Sequence, residues 1–450
     1  MSTARFSLSE DTLKQIAADS LAHAKRLGAT AADAEVNDGF GQSVTVRARE
    51  VETIEYTRDK SLGVSVYLGQ QRGHASTSDF SPKAILDTVE AALSIARYTA
   101  ADDCAGLPDP ARHPSTQALS ELDLDLYHPW DVSVDTAIDL ARRCESAALE
   151  HDPRIANSEG ANLYTQQWHF VLANSNGFIG AYPTSRYSLS CSVIGEHGDD
   201  MQRDDWYTAA RREDELESPE AVGRRAATRA VQRLDARKLD TVNAPVLFEA
   251  TLAGSLISHF VGAVSGGSLY RKSSFLLDSL GQTVFAPGVQ LREAPHVARG
   301  LASSPFDDEG VATSAREVVR DGVVQGYFLG SYSARKLGMQ STGNAGGNHN
   351  LTLDSGALDF AGLLKKMGRG LVVTELLGHG INGVTGDYSR GAAGFWVEDG
   401  EIAYPVHEIT IAGNLKTMFR GIVEIGSDVL HRGSKTCGSI LLDDMTIAGN

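Results

Sequence analysis

Hairpin signals limit what this chain can fold into more than any other feature of its sequence. Asn176-Gly177, Asp321-Gly322 and Asp399-Gly400 each lie between two runs of strand character. Such dipeptides accept the left-handed backbone that tight turns demand, so the flanking runs pair antiparallel. Earlier in the chain, residues 42–48, 52–57 and 62–68 alternate apolar and polar positions at short spacing, as an antiparallel meander does. Helices separate these strands. Ser7 and Glu10 form a capping box ahead of the stripe Leu13, Ile16, Ala17, Leu21 and Ala24, which ends at Gly28. Ser81-Pro82 opens a helix to about residue 98, Ser133 one to about 149, and Ser218-Pro219-Glu220 one to about 234. A further helix starts near Asn414, carries Leu415, Met418, Phe419, Ile422 and Val423, and stops at Gly426. The fold class is therefore α+β: mixed, largely antiparallel sheets with flanking helices.

A length of 450 residues predicts two or three domains. Pro108, Pro110, Pro114 and Pro129 interrupt residues 103–130, which read as a linker between an N-terminal α+β segment, 1–102, and a middle α+β segment, 131–236. The middle segment repeats the order of the first, a helix and then strands, so the two read as parts of one N-terminal half. Residues 242–450 form a glycine-rich, β-rich C-terminal domain.

The formal net charge is −17, which disfavours phosphate backbones and argues against a nucleic-acid partner. Arg224, Arg225, Arg229, Arg233 and Arg237 share one predicted helix with acidic neighbours and read as a solvated face. The closest two of the four cysteines, Cys104, Cys144, Cys191 and Cys437, are forty residues apart, so reduced thiols are expected. Met1-Ser2-Thr3-Ala4-Arg5 begins no apolar export segment, and no run is long enough to span a bilayer. A soluble, cytoplasmic protein without membrane contact is expected.

A zinc hydrolase takes about three protein ligands and leaves one position open. Among the 13 histidines, no two lie closer than His113 and His128, so HExxH, HxxxH and related pairs are absent. His407-Glu408 is the one His-Glu step, and Ile411 or Ala412 stands where a second histidine belongs. Gly378-His379-Gly380-Ile381-Asn382-Gly383 matches GxGxxG after a strand-like run, but no amphipathic helix follows, so a dinucleotide is not expected. Cys437 reads as a small, partly buried thiol, since no base can be placed beside it. In residues 385–396, Asp387, Tyr388, Ser389 and Arg390 are substrate-binding candidates, because tyrosine and arginine favour binding surfaces and the small residues around them permit close approach. The competing reading is a tight loop entering a buried hairpin.

Several runs resemble the PmbA/TldE branch of the TldD/PmbA family, also called modulators of DNA gyrase. They are Ser304-Pro305-Phe306-Asp307-Asp308-Glu309-Gly310-Val311, Tyr332-Ser333-Ala334-Arg335-Lys336-Leu337-Gly338, the stretch 386–396, and Glu408-Ile409-Thr410-Ile411-Ala412-Gly413-Asn414-Leu415. The resemblance extends over essentially the whole chain. It implies a two-subunit zinc peptidase acting on small or unfolded peptides, in which a TldD-type partner carries an HExxxH motif and a later cysteine ligand. Here the matching segment is Leu256-Ile257-Ser258-His259-Phe260-Val261-Gly262-Ala263. Ser258 stands at the first histidine position, His259 at the glutamate and Ala263 at the second histidine, while Cys437-Gly438 matches the cysteine step. No metal is then expected in this chain, zinc is expected in the partner, and the isolated chain is expected to be able to pair with itself. Two alternatives remain open. One is an independent metallopeptidase drawing on His259, His349, His379 and Cys437. The other is a non-enzymatic regulator of DNA gyrase.

Overall fold

The computed structural model describes residues 6–449; the stretch Met1–Arg5, which enters the argument against an export signal, lies outside the described residues. Helix α1 (Glu10–Arg26) is capped by Ser9, whose Oγ accepts the Thr12 N–H. Ser7, the expected cap, instead donates to Asp38 Oδ1 at 2.8 Å and ties the segment to the first strand. Strands β1 (Ala31–Arg47) and β2 (Glu50–Leu68) pair antiparallel along their length, and β3 (Gln71–Thr77) pairs with the end of β2. The separate strands expected at 52–57 and 62–68 are thus one. Residues 50–61 are exposed, so the apolar alternation lapses there while the hydrogen-bonded ladder to β1 continues. Helix α2 (Pro82–Tyr98) starts from its Ser81 cap as expected. It lies close on β3, where a Cβ at Gly73 would stand 1.9 Å from the Ala92 carbonyl oxygen.

Residues 103–130 hold a single 3-10 turn (Pro110–Arg112) and one short α-helix, α3 (Thr116–Glu121), and lie along the C-terminal part of the chain. There Arg335 donates to the Cys104, Gly106 and Leu107 carbonyls, and Arg112 donates to the Ser341 carbonyl at 2.6 Å. Then follow α4 (Val134–Leu149), β4 (Ile155–Asn174), β5 (Ile179–His197), β6 (Asp200–Ala210) and α5 (Pro219–Gln232). Asn176-Gly177 turns β4 into β5, with Gly177 at φ +92°. Strand β4 pairs with β1 from Asp33↔Asn174 to Val46↔Ala161, giving one antiparallel sheet of order β3-β2-β1-β4-β5-β6. Two units of helix, three strands and helix are therefore joined edge to edge. Each pair of helices buries its own core: Leu13, Val36, Val64 and Val89 under one, and Leu163, Cys191, Trp206 and Ala226 under the other.

Of the five arginines expected on a solvated face, Arg224, Arg225 and Arg237 are exposed, whereas Arg229 and Arg233 are not. Arg233 is buried, and Arg229 is nearly so. Arg229 pairs with Asp204 and Glu249, Arg233 pairs with Asp204 and Glu375, and Arg225 stacks on Trp206. Two of these carboxylates, Glu249 and Glu375, come from residues 242–450, so this end of α5 meets the C-terminal part of the chain and not water alone.

That last part begins with β7 (Val242–Phe248), α6 (Ala250–Ala263) and α7 (Gly266–Tyr270). A small sheet of order β10-β9-β8-β11-β16 contains β8 (Leu291–Glu293), β9 (Arg316–Arg320), β10 (Val323–Val324), β11 (Leu351–Leu353) and β16 (Lys435–Thr436). A larger sheet runs β14-β13-β12-β7-β17-β15, using β12 (Gly370–Leu377), β13 (Asp387–Glu398), β14 (Glu401–Asn414), β15 (Ile422–Ile425) and β17 (Ile440–Ala448). Strand β14 also pairs with β17 at Ile411↔Ile447, which closes five of these strands into a ring. Three short helices complete the chain: α8 (Ser331–Lys336), α9 (Phe360–Met367) and α10 (Leu415–Arg420). Asp321-Gly322 and Asp399-Gly400 turn their hairpins with both residues at positive φ. Helix α10 stops at Gly421, short of the expected Gly426, so Ile422 and Val423 belong to β15. A Cβ at Gly421 would meet Asp443 Oδ1 at 2.2 Å. The α+β class holds. No helix among the described residues is long and apolar enough to cross a membrane.

Candidate functional site

Helix α6 positions the motif-like residues. Ala253, Leu256, Ile257 and Phe260 recur at helical spacing and are buried, with Phe260 against Phe285 and Phe419. The other face presents Thr251, Gly254, Ser255 and Ser258 to a cavity of about 260 Å³. Opposite stand Tyr207, Leu430, Arg432, Lys435 and Cys437. The fold thus brings Ser258 and Cys437 together from distant parts of the chain. It does not bring Ala263 with them: that residue is buried in the core at the helix end. The next position on the Ser258 face is Gly262, which has no side chain to offer.

The donor set around Ser258 does not suit a zinc ion. The Ser258 hydroxyl donates to the Gly254 carbonyl at 2.9 Å. Burial, with the Asp428 charge behind it, pushes the Cys437 thiol up to about 12, and a single thiol does not hold a zinc ion without further ligands. Arg432 and Lys435 add two positive charges to the lining.

His259 turns away from that cavity. Its ring lies 6.0 Å from that of Tyr388 at 73°, and its Nε2 is buried without a hydrogen-bond partner. Burial, and then the charge of Arg390, hold its pKa below the usual 6.5. Burial pushes Tyr388 up to about 12. Alternation along β13 splits the four binding candidates. Tyr388 is 1% exposed and Arg390 half-buried, whereas Asp387 and Ser389 face outward. Asp387 accepts from Thr385 Oγ1 at 2.6 Å and Asn414 Nδ2 at 3.0 Å, which holds its carboxyl below the usual range. For Tyr388, the buried-hairpin reading describes the environment.

A histidine whose folded pKa is depressed takes up its proton more readily in the unfolded chain. Its contribution to stability is complete above the unfolded value of 6.5 and is lost as pH falls below it. His259→Phe is expected to lose less melting temperature than the parent between about pH 7 and about pH 5. Thermal melts check this, and identical losses would show that the imidazole is not desolvated.

The remaining candidates lie apart. His349 is buried and its Nε2 is 2.9 Å from the Gly343 carbonyl, whereas His379 is exposed. Within the glycine run, a Cβ at Gly380 would stand 1.7 Å from the Ser389 carbonyl, so strand contact explains that glycine. His407, in β14 as expected and half-buried, sits 3.3 Å from Gln202 Nε2. Among the described residues, one group of three potential ligands converges: Asp102, Asp103 and Cys104. Asp102 is already engaged by Lys336 at 2.8 Å and Tyr332 at 2.7 Å. Sequence reasoning passed over a larger cavity of about 470 Å³, lined by Asp33, Tyr67, Arg72, Asp308, Glu309 and Tyr332. Burial pushes Asp33 there up to about 6. No local pattern links those segments. It also passed over Lys435, two residues before Cys437, whose charge was a readable signal.

Three successive sequence models of one family match this chain: PmbA/TldA metallopeptidase domain 1 over residues 32–96, the central domain over 127–234, and the C-terminal domain over 241–449. The chain is 51% identical to Metalloprotease PmbA of Escherichia coli O157:H7, across 93% of this chain and 92% of that protein. It is 50% identical to the Metalloprotease PmbA homolog of Haemophilus influenzae, across 100% and 99%. Its structure resembles that of a candidate modulator of DNA gyrase from Bacteroides thetaiotaomicron, with a TM-score of 0.92, 26% identity, and coverage of 98% of this chain and 100% of that one. TldE from Thermococcus kodakarensis, at 18% identity and a TM-score of 0.81 over 96% and 100%, shares the fold. By these matches along nearly its whole length, the chain belongs to the PmbA/TldD metallopeptidase family.

Proposed function

We propose that this chain is the non-catalytic subunit of a two-part zinc metallopeptidase. A TldD-type partner supplies the metal and the general base. This chain completes the partner's fold and forms part of the chamber that receives small or unfolded peptides. One observation carries the reading: at the place where ligands belong, the cavity under α6 offers hydroxyls, a single buried thiol and two cations. A divalent ion is repelled there, while the fold that surrounds the place is retained. Without its partner, the chain pairs with a second copy of itself through the same surface. The net charge of −17 disfavours direct contact with DNA.

The test is metal analysis and peptide digestion, with and without a TldD-type partner. The isolated chain is expected to hold no stoichiometric zinc and to cut nothing. With the partner, chelator-sensitive cleavage is expected. Chelator-sensitive hydrolysis by the isolated chain would overturn the proposal.

A further inference from the structure

The cavity under α6 is lined by positive charge with no carboxylate beside it. Arg432 and Lys435 line it, and no aspartate or glutamate does. Nearby Arg229 and Arg233 each have carboxylate partners, but among the described residues neither Arg432 nor Lys435 makes an ion pair. The Arg432 guanidinium lies 3.6 Å from the Trp206 ring and 4.3 Å from that of Tyr207. This stacking fixes its plane, and its Nη2 is buried without a hydrogen-bond partner. The Lys435 ammonium is half-buried, with only Ser434 Oγ nearby at 3.5 Å. Ser255 Oγ, on the α6 face, is also buried and unpartnered. Burying cations and donors without acceptors costs free energy, and an incoming anion removes that cost.

We propose that this cavity binds the C-terminal carboxylate of a peptide. A carboxylate has two oxygens in one plane, which suit the edge of a stacked guanidinium, and it can also accept from an ammonium and a hydroxyl. The cavity, at about 260 Å³, has room beyond the carboxylate itself, and Leu252, Leu430 and Ala250 give it apolar wall for the last side chain. An inorganic phosphate matches the charge but leaves that wall unused. The inference rests on the reading that peptides are what this protein handles. It adds where on this chain their free end docks.

The test uses a dye-labelled hexapeptide ending in leucine, as free acid and as C-terminal amide, titrated into the purified full-length chain and followed by fluorescence anisotropy. The free acid is expected to bind at least tenfold more tightly. Lys435→Met and Arg432→Gln are expected to bring that ratio close to one, and Arg432→Lys to retain part of it. Circular dichroism melts establish that each variant is folded. No preference by the parent chain, from equal binding or from none, overturns the proposal. So does inorganic phosphate binding more tightly than the free acid in a Lys435-dependent way, which would assign the site to phosphate. The companion-subunit reading is judged separately, by partner-dependent hydrolysis. A ratio of one alongside intact hydrolysis removes only this inference, and a tenfold ratio without hydrolysis removes only the other.

Discussion

Glu293→Ala is expected to destabilise the C-terminal domain by about 3–5 kcal/mol, because it removes the acceptor at the centre of a buried polar network. Glu293 is 2% exposed at the end of β8. Its Oε2 is 2.7 Å from Arg316 Nε, and its Oε1 accepts from Asn344 Nδ2 at 2.8 Å and from the His349 N–H at 2.7 Å. Arg316 in turn donates to the Tyr327 carbonyl at 2.7 Å and to Asn344 Oδ1 at 3.0 Å. With alanine at 293, a half-buried guanidinium loses its counter-charge and two further donors lose their acceptor. Glu293→Gln keeps an oxygen for Asn344 and the His349 amide, so it is expected to recover about 1–2 kcal/mol of the loss. A fall in melting temperature on the order of 10 °C is expected for the alanine variant. A fall of only a degree or two would mean that the network contributes little.

This network also shows why some histidines could not be assigned from sequence. His349 was a possible metal ligand because imidazole ligates metals, and nothing adjacent in the chain indicated otherwise. Its partners Glu293 and Gly343 come from a strand and a loop, and only the assembled small sheet brings them together. The hairpins were legible because their information is local. Asn176-Gly177, Asp321-Gly322 and Asp399-Gly400 carry the turn conformation in the dipeptide itself. The helix starts at Ser81, Ser133 and Ser218 were legible for the same reason. Helix ends and strand lengths were less so. The breadth of β2 depends on pairing with β1 and not on its own pattern, and the stop of α10 depends on Asp443 from another strand. At the candidate site, the pairing of Ser258 with Cys437 was legible only through the family resemblance, which also grouped Ala263 with them although the fold keeps it apart. Arg432 and Lys435, which set the charge of that cavity, are written in the sequence, but no spacing there ties them to α6, about 170 residues earlier.

The second large effect is expected at Asp204. This residue lies in β6, and its carboxylate is shared by two arginines of α5: Oδ1 is 3.0 Å from Arg229 Nε, and Oδ2 is 3.4 Å from Arg233 Nη1. Beyond it the same arginines reach into the C-terminal part, Arg229 to Glu249 at 2.8 Å and Arg233 to Glu375. Asp204 is therefore the hinge of a four-pair bridge between the long antiparallel sheet and the closed ring of strands. Its side chain and that of Arg233 are each 9% exposed, so salt screens the bridge weakly. Burial alone pushes the pKa of Arg229 down; the Glu249 and Asp204 carboxylates outweigh that and hold it above the usual value. Asp204→Leu fills the space but leaves two guanidiniums side by side, at a cost of about 3 kcal/mol. The expected result is a melting temperature lower by about 6–12 °C. Because the bridge spans the boundary, limited proteolysis should also cut the variant faster within residues 233–241, between α5 and β7. A variant that melts and resists protease like its parent would show that apolar packing, not this charge bridge, joins the two parts of the chain.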